Sequence, residues 1–126
     1  PTKDDASLLL QLITVLNADR DAFRWFIGVF DEKNYDDFKA KYPKGSEGYR
    51  NFNIVAGNGE LIGTLVNKEL LSEDLVFDLW CDFLWEKKEH IAYGMRKDRE
   101  MPRLFENFEV CTKKYPMWVE KNPPKV

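Results

Sequence analysis

The segment from residue 73 to residue 95 constrains the fold more than any other part of the chain, because its first half is apolar on nearly every face. The apolar residues fall within about three turns of helix. Only Asp78 and Asp82 interrupt this apolar run, which consists of Leu75, Val76, Phe77, Leu79, Trp80, Cys81, Phe83, Leu84 and Trp85. A helix that is apolar most of the way round is contacted by several neighbours at once. We therefore predict an all-α protein, a single compact bundle of five or six helices around a central helix at about 73–96.

Length and charge limit the classes of protein to which the chain can belong. Its 126 residues suit one helical domain, 1–126, and an apolar content of 44% with 14% aromatic residues excludes a disordered chain. The net charge of -3 provides no general attraction to nucleic acid or to an anionic membrane, so we predict neither as a partner. Residues 91–126 nevertheless carry 8 basic and 5 acidic residues, whereas the first 90 carry 11 and 17. An anion-binding surface is therefore expected in the C-terminal third.

The cysteine content and the first apolar run bear on the cellular compartment. Cys81 and Cys111 are too few for a disulfide framework, and both lie in apolar helical registers, so we expect them to be reduced. The apolar run at 8–16 is too short to span a membrane and follows acidic rather than basic residues. We predict a cytoplasmic protein, unless a segment removed from before Pro1 carried a signal or an anchor.

Polar residues and prolines divide the chain into helices. The predicted start signals, in chain order, are Asp4 or Asp5, Asn17 or Asp19, Asn34, Ser46, Ser72 and Pro102. The first two helices could also run on as one. Pro43 is expected to end the third helix, and Pro116 the last. From the apolar spacing we expect six residues to be mainly buried: Trp80, Phe83, Leu84, Ile91, Phe108 and Cys111.

Three glycines within the predicted helix after Ser46 need an explanation, since each interior glycine costs about 0.5 to 1 kcal/mol relative to alanine. Ala56, Gly59 and Gly63 recur every three or four residues and can form a smooth strip for a bulky partner, for which Trp80 is the candidate. A phosphate loop is disfavoured, because GNGELIG has the wrong last spacing and no strand pattern precedes it. A turn at 57–59 that splits the helix remains open.

A series of short motifs lies between residues 52 and 108. It runs from LIGTLV at 61–66 and LL at 70–71, through Trp80, Trp85 and Arg96, to FENFE at 105–109. This series resembles a family of small bacterial all-helical proteins known only as a domain of unknown function. Arg20 and Arg24, which precede an aromatic run, would suit the N-terminal part of that pattern. The resemblance implies a helical fold and supplies no activity, cofactor or catalytic residue.

Residue patterns that could support metal or nucleophilic chemistry are incomplete. An acidic stripe recurs every four residues at Asp74, Asp78, Asp82 and Glu86, but a single carboxylate row without further ligands is typical of a solvated helix face. His90 is the only histidine, which excludes a two-histidine zinc site within one chain. Neither cysteine has a catalytic base close in sequence. We predict no catalytic residue, no metal and no cofactor.

One basic cluster remains as a candidate binding site. Arg96, Lys97, Arg99 and Arg103 surround Met101-Pro102, where a helix is predicted to begin. A helix start offers free backbone N–H groups to an anion such as a phosphate, a nucleotide or an acidic peptide. The alternative is that these side chains form surface ion pairs with nearby acidic residues, and we favour this interpretation over an anion site.

Two functions follow from the sequence. The first is a non-catalytic helical protein-interaction domain, in which surplus aromatic residues such as Trp25, Trp85 and Trp118 are buried against a partner protein or a second copy in a homodimer. The second is a binding protein or an enzyme for an anionic small molecule, which would use the basic cluster at 96–103.

Overall fold

The computed structural model describes residues 1–80 and 85–126, and all regular secondary structure in those residues is helical. The described residues form eight helices: α1 (Lys3–Ala18), α2 (Arg20–Gly28), α3 (Tyr35–Lys41), α4 (Glu47–Asn67), α5 (Glu73–Leu79), α6 (Trp85–Asp98), α7 (Glu106–Thr112) and α8 (Tyr115–Lys121). The all-α class is thereby confirmed, with more and shorter helices than the five or six expected. None of the helices described is both long enough and apolar enough to cross a bilayer. The expectations for Cys81, Asp82, Phe83 and Leu84 lie outside the described residues.

Local capping explains where several helices begin. Asn34, Ser46 and Ser72 each accept a hydrogen bond from the backbone N–H three residues later, at 2.9, 3.2 and 3.3 Å, so these three predicted starts are confirmed. The predicted cap of α1 is wrong, because Thr2 occupies that position. Asp5 instead completes a capping box, in which its carboxylate accepts the Thr2 N–H at 2.7 Å. At Asp19 the backbone leaves helical geometry and separates α1 from α2.

The single helix expected over 73–96 is two helices in the structure. The α5 helix ends at Leu79, because Trp80 has φ -115° and ψ 35°, outside the helical region. A new helix begins at Trp85. Trp80 itself is half-buried rather than buried, whereas the predicted burial of Ile91, Phe108 and Cys111 is confirmed. The apolar character of the segment therefore reflects two helices in separate packing environments.

The central position belongs to α4, which contributes to two core clusters. The first cluster is rich in aromatic residues from α2, α3 and α6, and α4 adds Phe52, Val55 and Ala56 to it. The second contains mainly aliphatic residues from α1 and α5, and α4 adds Ile62 and Val66. Because the two clusters occupy successive parts of α4, this helix connects the two halves of the core.

The glycine strip on α4 is confirmed as a packing surface, but its partner is α7 rather than Trp80. The Phe108 ring lies against Gly59, and the backbone carbonyl of Asn107 lies against Gly63. Both glycines are inside a continuous helix, so no turn splits α4 at 57–59. Glu60 accepts the Phe108 N–H at 2.9 Å and thereby holds the first turn of α7 on the strip.

The one C-terminal helix expected between Pro102 and Pro116 is two shorter helices in the structure. Pro102 lies in a turn, Phe105 has a left-handed backbone with φ 59°, and α7 begins at Glu106. Pro116 is near the start of α8 instead of at the end of α7, because proline needs no N–H partner in a first helical turn. No helix therefore begins at residues 101 and 102.

Candidate functional site

Arg96 forms hydrogen bonds and ring contacts with other residues of the protein. Its Nε donates to the Leu104 carbonyl at 2.7 Å, and its Nη1 donates to Glu109 at 2.9 Å. The guanidinium lies over the rings of Trp85 and Tyr93, 5.8 and 5.3 Å from their centres. Its side chain is 16% exposed, and its buried Nη2 forms no hydrogen bond. Arg96 therefore ties α6 to the turn before α7 and to α7 itself.

Glu109 is the acceptor at the centre of this contact network. Tyr93 and Lys113 also donate to its carboxylate, each at 2.7 Å. Partial burial alone would raise the pKa of Glu109, but the hydrogen bonds from Lys113, Tyr93 and Arg96 outweigh that effect and lower the pKa to about 2. The cationic side chain of Arg96 is thus balanced by a carboxylate that stays ionised.

The other three members of the basic cluster do not share this location. Arg99 contacts the Tyr49 hydroxyl and donates to Asn53 at 3.3 Å, both on α4. Arg103 pairs with Glu106 at 2.7 Å on the surface, and its side chain is 84% exposed. Lys97 is exposed. Each arginine of the predicted anion site therefore contacts a different set of groups in the structure. Anion binding by Arg96, Lys97, Arg99 and Arg103 stays a prediction.

The acidic stripe on α5 holds the C-terminal segment. Asp74 accepts the indole N–H of Trp118 at 3.0 Å, and Asp78 pairs with Lys125 at 2.8 Å. Among the described residues, no three side chains of histidine, cysteine, aspartate or glutamate converge as a metal site would require. The two stripe residues on α5, Asp74 and Asp78, therefore have a structural role.

A cavity of about 430 Å³ lies between the α1–α2 segment and α4. Residues from five helices and the end of α5 surround it: Leu16, Asn17, Arg20, Phe23, Arg24, Ile27, Val55, Asn58, Gly59, Ile62, Trp80, Lys88 and Phe108. Lys88 and Phe108 are buried and lie at its floor, whereas Arg20, Arg24 and Ile27 are exposed at its rim. Its walls are mostly apolar, and its volume is within the range of roughly 300 to 1,000 Å³ that is common for small-molecule sites.

The charged residues of the cavity are all basic within the described part of the chain. Arg20 and Arg24 are one helical turn apart on α2, and neither forms an ion pair with a described residue. Asp19 and Asp21 flank Arg20 in sequence. The Asp19 carboxylate accepts a hydrogen bond from the buried Asn58 amide at 2.9 Å, and Asp21 forms no ion pair with either arginine. At the floor, the Lys88 Nζ lies 3.7 Å from the centre of the Phe26 ring and 4.9 Å from that of Phe108.

The amino-acid sequence matches one known protein family. Residues 1–115 match the family model described as Domain of unknown function (DUF4760). The chain belongs to the DUF4760 family. Neither the curated proteins nor the solved structures contain a match to it. The DUF4760 match covers all the helices that form the cavity and confirms the resemblance to a domain of unknown function.

The sequence of this DUF4760 domain contains a row of residues that borders the cavity, but their spacing alone does not identify them as a site. Residues 16, 20, 23, 24 and 27 are spaced by three or four and lie on one side of α1 and α2, yet this row mixes arginine with apolar residues. A mixed row of this kind is also typical of an ordinary boundary between core and solvent. Only the packing of α2 beside α4 shows that the row borders a cavity.

Proposed function

We propose that this DUF4760 domain binds a small amphipathic anion in the cavity between α2 and α4. The observation that carries the proposal is the combination of apolar walls with two exposed arginines, Arg20 and Arg24, that have no carboxylate partner among the described residues. We propose binding without catalysis. The family is described as a domain of unknown function.

The apolar walls would contact the body of the ligand. Phe23, Ile62 and Phe108 border the space, and burial of apolar ligand surface there contributes roughly 25 cal/mol per Å² removed from water. Small-molecule sites typically combine such walls with a few polar groups that orient the ligand. The cavity has that composition, because Asn17 and Asn58 supply amide groups beside the three basic side chains.

The arginines at the rim would contact the anionic group. Guanidinium groups bind carboxylates and phosphates through paired hydrogen bonds, and rim positions leave the charged end of the ligand near solvent. This retains the anionic ligand class that the sequence offered as its second function. It differs in location, because the sequence placed the ligand at 96–103, where Arg96 and Arg103 contact Glu109 and Glu106.

A titration with decanoate, followed by calorimetry below its micelle concentration, tests this proposal. We expect wild type to bind decanoate and the Arg20→Gln/Arg24→Gln variant to bind at least about tenfold more weakly, a change of about 1.4 kcal/mol. Arg50→Gln is the matched control, because Arg50 is exposed on α4 and does not border the cavity. Leu16→Trp should reduce binding by filling the space at the wall.

Several results would contradict the proposal. Absence of binding by decanoate and by decyl phosphate would remove it. Equal affinity in wild type and the double arginine variant would place any bound ligand elsewhere. Chemical-shift changes centred on Arg103 rather than on Phe23 and Ile62 would favour the cluster predicted from the sequence. Thermal melts of each variant confirm that it is folded before binding is measured.

A protein-interaction role is a second candidate, supported by exposed aliphatic side chains. Leu10 on α1 is 67% exposed and Val29 after α2 is 59% exposed. The aromatic residues that suggested this role are engaged within the chain: Trp85 is buried, Trp25 contacts Phe30, and Trp118 contacts Phe77. Self-association or binding of a partner protein would therefore depend on the aliphatic residues.

We also propose a cytoplasmic location. The buried Cys111 thiol is free, which suits a reducing compartment. Burial raises the pKa of Cys111 to about 11, so the thiol stays protonated and unreactive. Rapid modification of Cys111 by a thiol reagent in the folded protein would contradict this description of its environment.

A further inference from the structure

We infer that the cavity selects a phosphomonoester with an apolar tail over a carboxylate of the same tail length. This inference rests on the proposed function and specifies its ligand class. Three features carry it: the positions of Arg20 and Arg24, the lack of an ion pair between either arginine and a described acid, and the apolar walls of the cavity.

Two arginines one turn apart match the three terminal oxygens of a phosphomonoester better than the two oxygens of a carboxylate, which both forks would have to share. Residues Arg20 and Arg24 have the spacing of four that places side chains on the same face of a helix, and both border the cavity. Each guanidinium is a planar fork that can occupy both oxygens of a carboxylate by itself. A phosphomonoester presents three terminal oxygens and can therefore accept from both forks.

The charge of the site also favours a dianion. Arg20 and Arg24 are the charged residues at the rim among those described around the cavity, and neither forms an ion pair with a described residue. Asp19 and Asp21 flank Arg20, but Asp19 accepts a hydrogen bond from the buried Asn58 at 2.9 Å, and Asp21 forms no ion pair with either arginine. A phosphomonoester carries about -1.5 to -2 charge at neutral pH, whereas a carboxylate carries a single charge.

The apolar walls of the cavity favour an apolar tail on the ligand. Phe23, Val55 and Ile62 form an apolar surface that runs from the buried Phe108 ring towards the rim. Inorganic phosphate could use the arginines but would leave this surface empty. A phosphorylated alkyl chain, either free or as a lipid head group, matches both parts of the cavity.

The test compares four probes of matched tail length at neutral pH: decyl phosphate, decyl sulfate, decanoate and decanol. We expect decyl phosphate to bind at least about tenfold more tightly than decanoate. Decyl sulfate has three terminal oxygens but one charge, so an intermediate affinity would show that both oxygens and charge contribute. In Arg24→Lys, which keeps the charge and removes the fork, the preference for phosphate over decanoate should shrink, whereas Arg50→Lys should retain it.

The outcomes distinguish this inference from the proposed function. Equal or tighter binding of decanoate, still dependent on Arg20 and Arg24, would overturn the phosphate preference and leave the cavity as an amphipathic anion site. Absence of binding by every anionic probe would overturn both. Inorganic phosphate that binds as tightly as decyl phosphate would overturn the requirement for a tail.

Vesicles identify the source of the phosphomonoester. Phosphatidylcholine vesicles with and without phosphatidic acid are mixed with the protein and separated by flotation. Co-flotation that requires phosphatidic acid and is lost in Arg20→Gln/Arg24→Gln would support a lipid head group. Binding of decyl phosphate without co-flotation would support a free phosphorylated amphiphile. Co-flotation with phosphatidylcholine alone that is unaffected by the arginine changes would contradict selection at the cavity.

Discussion

Gly59 packs directly under the ring of Phe108, so closely that a Cβ atom at residue 59 would lie 2.5 Å from the Phe108 Cδ2. This contact places α7 on α4 and at the same time forms part of the cavity wall, because both residues border the cavity. One turn further along α4, Gly63 makes the corresponding contact with the Asn107 backbone. The glycines therefore serve packing and the shape of the proposed site together.

The first prediction compares two glycines of α4. Gly63→Ala should lower the free energy of unfolding by roughly 1 to 3 kcal/mol, because its Cβ would overlap the Asn107 carbonyl, and Gly63→Leu should cost more. Gly57→Ala is the control, since nothing lies within 4 Å of a Cβ there. It should raise the free energy of unfolding by about 0.5 to 1 kcal/mol. Urea denaturation measures both, and an unchanged midpoint for Gly63→Ala would contradict the packing described.

The second prediction concerns the pH dependence of stability. The pKa of Glu109 falls from 4.5 to about 2 on folding. The ionised Glu109 carboxylate therefore increases the free energy of unfolding above about pH 4.5, and this increase is lost as the pH falls towards 2. Glu109→Gln should therefore destabilise the protein at neutral pH by roughly 1 to 3 kcal/mol and flatten the stability curve in that window. Glu106→Gln removes only the carboxylate that pairs with exposed Arg103 and should keep the slope. Parallel curves for wild type and Glu109→Gln would refute the prediction.

The third prediction separates the members of the basic cluster. Arg96→Ala should lower the free energy of unfolding by roughly 2 to 4 kcal/mol, because it removes the side-chain donor to the Leu104 carbonyl and one of the three donors to the Glu109 carboxylate. Arg103→Ala should change it by less than about 0.5 kcal/mol. Thermal melts with and without sulfate give both the stabilities and a test of anion binding. A sulfate-dependent rise in midpoint that Arg103→Ala abolishes would support the anion site predicted from the sequence.

The fourth prediction concerns self-association. If α1 forms a twofold interface through its exposed leucine, Leu10→Glu should shift the protein towards monomer in sedimentation velocity. Gln11→Glu introduces the same charge at an exposed neighbouring position and should leave the distribution unchanged. A wild-type protein that stays monomeric at high micromolar concentration would exclude the homodimer.

Helix starts were readable from the sequence where the stabilising contact is local. Asn34, Ser46 and Ser72 each bond a backbone group only three residues away, so the residue type and its position suffice to predict the cap. The burial of Ile91 and Phe108 followed from helical periodicity for the same reason. These features and the all-α class depend on contacts within about one or two turns.

Tertiary structure decided the features that depend on distant segments. The end of α5 at Trp80, the central position of α4 and the partner of Gly63 all follow from how helices pack, and periodicity does not encode which helix faces which. The two arginine groups show the same limit. Residues 96–103 are close in sequence yet diverge to separate acceptors, whereas Arg20 and Arg24 border a cavity whose other wall is more than thirty residues away on α4. The sequence by itself determined the all-α class, several helix starts and the burial of residues such as Ile91 and Phe108, and only close packing between remote helices determined where a ligand could fit.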